Sequence, residues 1–186
     1  MRTFWKLYFA YGKDPEATMQ SLVQDRRFSV AFLGYAVAAL CWVCFFWAGS
    51  DLNAWGFLWR FSFFWLLEIS MGYLWAALSG LFLNFLSEGN GSSALFFALG
   101  LSGFVQGILL CFAILKSAAE WLAPLSALVF VVCLILRFFA VVINTARSVN
   151  ISFNKALGAL CFVLVPAAAA VLLFSGTIVL LVSMAL

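Results

Sequence analysis

The sequence predicts an all-α protein, a polytopic transmembrane helical bundle of five spans with a short N-terminal interfacial amphipathic helix. Three observations carry that reading. Hydrophobic residues make up 67% of the chain and the mean hydropathy is +1.14, against an apolar content of about 45–50% in ordinary soluble domains. The 10 Lys and Arg and 7 Asp and Glu among 186 residues fall mostly between long apolar runs, as in a chain whose solvent is lipid. Those runs are continuous rather than alternating, which selects helices over a β-barrel.

Residues 1–27 read as a cytosolic, interfacial segment and residues 28–186 as one transmembrane domain. In the first segment Phe4, Trp5, Leu7, Tyr8 and Phe9 interleave with Arg2 and Lys6, a mixture suited to the headgroup layer. Asp14-Pro15-Glu16 then starts a helix: Asp14 caps free amides, Pro15 occupies the first turn and Glu16 meets the positive end of the dipole. Arg2 and Lys6 imitate the start of a secretory signal, but 12–27 is polar where an apolar stretch should follow, so no cleavage is expected.

A hydrocarbon core of roughly 30 Å takes about 20 helical residues. Five runs reach that length: 28–49, 57–86, 94–115, 121–143 and 157–184. Polar breaks at 50–53, 87–93, 116–120 and 144–155 separate them. Five spans put Arg2, Lys6, Lys13, Arg26, Arg27, Arg147 and Lys155 on one side and only Arg60 and Lys116 on the other, so the N-terminus is expected in the cytosol and the C-terminus outside.

Composition argues against chemistry. The chain has no His, and it carries no metal-ligand pair, phosphate-cradling loop or nucleophile elbow; no enzyme activity, cofactor or metal is expected. A dispersed net charge of +3 offers no nucleic-acid surface. All five cysteines fall inside predicted spans, where a thiol packs as a small apolar group, and Cys41-x-x-Cys44 is read the same way because no His or electropositive loop is near.

Glu68 stands out, since a carboxylate some ten residues into an apolar span is costly without a partner. It heads a series of small positions at i+4 spacing, Gly72, Ala76 and Gly80, and the third span answers with Gly100, Gly103 and Gly107. Close packing of the second and third spans is the expectation; the competing one is a polar site for a proton, ion or lipid headgroup lined by Glu68 and Gln106. Arg137 is the second intramembrane charge. It either pairs with Glu68 or snorkels to the cytosolic headgroups, and counting from the predicted span ends favours snorkelling: at about 1.5 Å per residue, Glu68 sits roughly 15 Å and Arg137 roughly 24 Å below the outer ends of their spans. The turn at 144–155, with Arg147, Asn150 and Lys155, is the densest polar cluster and a candidate cytosolic contact.

The Asp14-Pro15-Glu16-Ala17-Thr18-Met19 entry, the five-span layout with a cytosolic N-terminus, the polar stretch from Ser148 to Leu157 and Pro166 midway into the last run together resemble the Yip family (the Ypt-interacting-protein type), particularly its small bacterial members. The resemblance implies a bacterial cytoplasmic (inner) membrane, or alternatively a eukaryotic endomembrane. In eukaryotic members the family implies Rab-GTPase contacts, associated with a long cytosolic N-terminal region and an Asp-Leu-Tyr-Gly-Pro-like stretch. Only 27 residues precede the first span here and that stretch is absent, which argues against Rab-type binding. The expected role is a non-enzymatic scaffold or assembly and trafficking-type partner, in contact with the lipid bilayer and with a membrane protein or a second copy of the chain. The alternative is a small transport or lipid-handling component with a polar path around Glu68 and Gln106.

Overall fold

Caps and glycines, more than periodicity, set the elements of this chain, because its helices carry apolar residues on every face. The computed structural model describes residues 13–14, 17–18, 21, 28–47, 53–86, 91–118 and 123–163. Among them there is no strand. The helices are α1 (Phe28–Trp47), α2 (Ala54–Leu86), α3 (Gly91–Ser102), α4 (Ile108–Ala118) and α5 (Ala123–Ser148), followed by α6 (Phe153–Val163). A 3-10 turn, Gly103–Gly107, joins α3 to α4, so that these two pieces make one path. Among the described residues, four helical stretches are long and apolar enough to cross a membrane: Phe28–Trp47, Ala54–Leu86, Gly91–Ile114 and Pro124–Ser148. The predicted fifth span is described only as far as Val163, and most of the predicted interfacial helix lies outside the described residues. Its cap is described: the Asp14 carboxylate accepts the N–H of Ala17 at 3.1 Å.

Helix boundaries differ from the hydropathy reading wherever a polar residue caps or continues a helix. Asn53 starts α2 three residues earlier than predicted, its side-chain oxygen accepting the N–H of Gly56 at 2.7 Å and its carbonyl that of Phe57 at 3.0 Å. Asn84 accepts the N–H of Gly91 at 2.7 Å, so α3 begins at Gly91 inside the predicted break. The largest correction is at 144–155. Asn144 and Thr145 are buried in α5, which runs on to Ser148, and the turn itself is short. The N–H of Ile151 reaches back to the carbonyl of Ala146 (3.0 Å) and that of Asn150 to Arg147 (3.4 Å), with Asn150 at φ 52°. This is a Schellman closure in which Asn takes the left-handed position usually given to Gly.

The third span is the centre of the bundle: 61% of its apolar window is buried, against 44%, 28% and 22% for the first, second and fourth. The helices α1, α2 and α5 all pack on it. Its contact with α1 brings the two backbones together. A Cβ on Gly100 would strike the backbone and side chain of Ala31, one on Gly103 the carbonyl of Gly34, and one on Gly34 the carbonyl of Gly100. Rising numbers on both helices show that α1 and α3 run parallel. The second and third spans do pack closely, as expected, but Gly100 and Gly103 face the first span instead of the second. In α2, Gly80 does face α3, at Ser92, while Gly72 faces the ring of Tyr35 on α1, and Ala76 is buried in the main apolar cluster with Tyr35 and Phe96. Gly107 is a further correction: a Cβ there meets nothing within 4 Å, so it is not a packing position.

These two environments predict opposite outcomes for one substitution. Gly100→Val should abolish monodisperse protein in mild detergent. Gly107→Ala should leave it intact and stabilise it by up to about 1 kcal/mol, through the lower entropy of the unfolded chain. Thermal unfolding monitored by size-exclusion chromatography distinguishes the two, and equal behaviour of both variants would contradict the assignment.

Candidate functional site

Glu68 on α2 and Arg137 on α5 meet as a bidentate ion pair. Arg137 Nη1 donates to Glu68 Oε1 at 3.0 Å and Nη2 to Oε2 at 2.7 Å, the parallel fork that suits guanidinium to carboxylate. Two further helices complete the network. The indole N–H of Trp42 on α1 donates to Glu68 Oε1 at 2.6 Å, and Arg137 Nε donates at 3.2 Å to the hydroxyl of Ser102, which itself donates to the carbonyl of Leu99 at 2.6 Å. The two charged side chains are only 15% and 14% exposed. Their pairing answers the cost of placing each alone in an apolar span.

Snorkelling of Arg137 is thereby corrected, and helix starts supply the reason. Measured from Ala54 and Ala123, where α2 and α5 begin, Glu68 and Arg137 each lie fourteen residues in. That is roughly 21 Å along each axis. The hydropathy reading began α2 three residues too late, which supplies roughly 5 Å of the apparent mismatch in depth.

Aromatic packing positions the neutral members. The Trp42 ring stacks on Phe46 with centroids 5.7 Å apart and an interplanar angle of 5°, and meets Phe130 of α5 edge-on at 5.3 Å. Phe45 stacks on the same Phe130 at 5.1 Å. The indole is therefore held from two sides with its N–H aimed at the carboxylate. Cys41 and Cys133 are buried beside this group with Phe45 and Leu109, and all five cysteines are free.

A cavity of about 240 Å³ adjoins the pair. One wall is the stripe Glu68, Met71, Gly72 and Trp75 of α2; the other is Leu134, Arg137, Phe138 and Val141 of α5. Both walls have the same i, i+3, i+4, i+7 spacing, so each is a single helix face. Tyr35 and Leu99 form the floor, and the Tyr35 hydroxyl is turned away to donate to the carbonyl of Phe96 at 3.0 Å.

Gln106 does not join this site. Its side chain is fully buried in the 3-10 turn, does not line the cavity and finds no hydrogen-bond partner among the described residues. Arg147, Asn150 and Lys155 are exposed at the end where α5 turns into α6, far along α5 from Arg137. Arg147 complements the C-terminal dipole of α5 and Asn150 closes the helix, so part of this polar cluster is structural. Trp42, Ser102, Tyr35 and Trp75 were not singled out by the sequence reading. The signal available for Trp42 was a polar N–H inside an apolar span.

No family model, curated protein or solved structure matches this chain. The geometry of the bundle is therefore the basis for any functional reading.

The network predicts a thermodynamic signature. Arg137→Leu leaves the Glu68 carboxylate buried with Trp42 alone and should destabilise the bundle by about 3–5 kcal/mol. The double variant Glu68→Gln/Arg137→Leu should recover a substantial part of that loss. Unfolding of both variants and of Glu68→Gln in detergent measures the coupling, and a double variant no more stable than Arg137→Leu would contradict an energetic role for the pair.

Proposed function

We propose that the protein is a non-enzymatic integral membrane scaffold or assembly partner of the five-span Yip type, in a bacterial cytoplasmic membrane with its N-terminal end in the cytosol. The observation that carries this reading is the shared charge network: both intramembrane charges are directed at each other and at Trp42 and Ser102, which ties four helical elements together. A proton- or ion-coupled carrier needs a carboxylate that exchanges partners during transport. Here Glu68 already accepts three hydrogen bonds, and Gln106, the other member of the expected polar path, lies outside the cavity. Among the described residues no second carboxylate lines the cavity beside Glu68, and the chain has no His for acid–base chemistry.

The outer faces suit a partner protein. Along α2, Leu66 and Tyr73 are 63% and 69% exposed one heptad apart, beside Trp59 and Phe63. An apolar face of this kind accepts either lipid tails or a second transmembrane helix. The orientation rests on Arg147 and Lys155, which lie at the same end of the bundle as Phe28, the residue that follows Arg26 and Arg27.

Two measurements test this proposal. A photo-crosslinking residue at Leu66 or Tyr73 should yield, in native membranes, a discrete adduct of one mass, either a dimer of this chain or one partner; lipid adducts alone would overturn the scaffold reading. For orientation, a membrane-impermeant maleimide applied to intact cells should label Ala54→Cys and spare Lys155→Cys, and the reverse pattern would invert the topology.

A further inference from the structure

The helices α2 and α5 each pack on α3 rather than on each other, and the Glu68–Arg137 pair bridges the gap between them. Below that bridge lies the cavity of about 240 Å³. Its size decides what it can hold, since an apolar cavity of about 150 Å³ already admits benzene. Its walls are predominantly apolar, a poor setting for a cluster of water molecules. The rim is open to the lipid phase, with Met71 57% and Leu134 37% exposed.

The polar end of the cleft is not saturated. Of the five guanidinium N–H groups, the fork to Glu68 and the bond to Ser102 use three, which leaves two donors. Of the roughly four lone-pair positions of the carboxylate, Trp42 and Arg137 occupy three, which leaves one acceptor position on Oε2. Farther along the α2 wall, Trp75 has a buried indole N–H with no acceptor among the described residues. The pair is neutral as a unit, so it offers hydrogen bonds without selecting a net charge.

We infer that this cleft is a binding site for a small neutral amphiphile, entering from the lipid phase between α2 and α5, whose hydroxyl or carbonyl head hydrogen-bonds to the Glu68–Arg137 pair while its apolar body lies along Met71, Leu134 and Phe138. A hydroxyl group matches the vacancies best, because it both accepts from Arg137 and donates to Glu68. The site stands independently of the scaffold reading, since a structural protein and a carrier would both accommodate it.

Octanol carrying a diazirine in its chain is a direct probe. Photolysis with the purified full-length protein in detergent, followed by peptide mass spectrometry, should place saturable adducts on Met71, Trp75, Leu134 or Phe138, suppressed by excess 1-octanol. The matching diazirine-bearing octane, which lacks the hydroxyl, should label these residues at roughly tenfold higher concentration, the worth of one hydrogen bond to a charged group. Leu134→Trp fills the cleft from its rim and should abolish saturable labelling while the protein remains monodisperse. Non-saturable adducts spread over the outer faces of α2 and α5 would overturn the proposal. So would equal labelling by alcohol and alkane, a test on the unsubstituted protein that needs no variant to fold.

Discussion

The bidentate contact between Glu68 and Arg137 is the interaction on which the arrangement of α2 and α5 depends. In water an exposed ion pair contributes little. Between apolar helices the balance differs, because each charge alone would face hydrocarbon and neither helix has another way to satisfy it. The geometry shows how strongly the pair organises its surroundings. It draws an indole from α1 and a hydroxyl from α3, and it holds α2 and α5 at the same depth across a gap that side chains do not fill. A Lys in place of Arg137 would present a point charge rather than a planar fork, and could not serve both carboxylate oxygens and Ser102 in one arrangement.

That bridge needs a rigid support, which the contact between α1 and α3 supplies. Gly34, Gly100 and Gly103 remove side chains where the two backbones meet, so dispersion contacts replace the hydrophobic drive that lipid does not provide. The consequence reaches the ion pair directly. Ser102 lies between Gly100 and Gly103, and Trp42 lies two turns beyond Gly34, so the close approach of these helices places both neutral ligands of the pair. The 3-10 turn that follows rotates the chain before α4, which explains why Gly107 leaves the interface that Gly103 occupies.

Much of this was legible in the sequence, and the residues that misled share a cause. Continuous apolar runs revealed four of the long helices, and Glu68 announced itself by its cost. Hydropathy is blind, however, to polar residues that continue or cap a helix: Asn53, Gly91, Asn144 and Thr145 all read as loop, yet the first two start helices and the last two lie buried in the final turns of α5. The three-residue shift at the start of α2 then moved Glu68 out of register with Arg137. The glycine pattern in the third span was visible, but its partner was misassigned because the matching stripe in α1, Ala31, Gly34 and Ala38, is made mostly of alanine and draws no notice. Ser102 was invisible for a different reason: its role arises only from tertiary packing.

Chain order adds a last constraint. Glu68 precedes Arg137 by 69 residues but follows Trp42 by only 26. The hairpin of α1 and α2 can therefore satisfy one carboxylate oxygen through the indole before α5 exists, while Arg137, once α5 is made, finds both the carboxylate and Ser102 already in place on earlier helices. Chain order thus offers the costly acidic group a local partner as well as a distant one, and the distant one joins α5 to the bundle. The neutral donor beside the charged one has an electrostatic reason: a second cation in α1 would leave Arg137 facing a neutralised site and a like charge at mid-membrane.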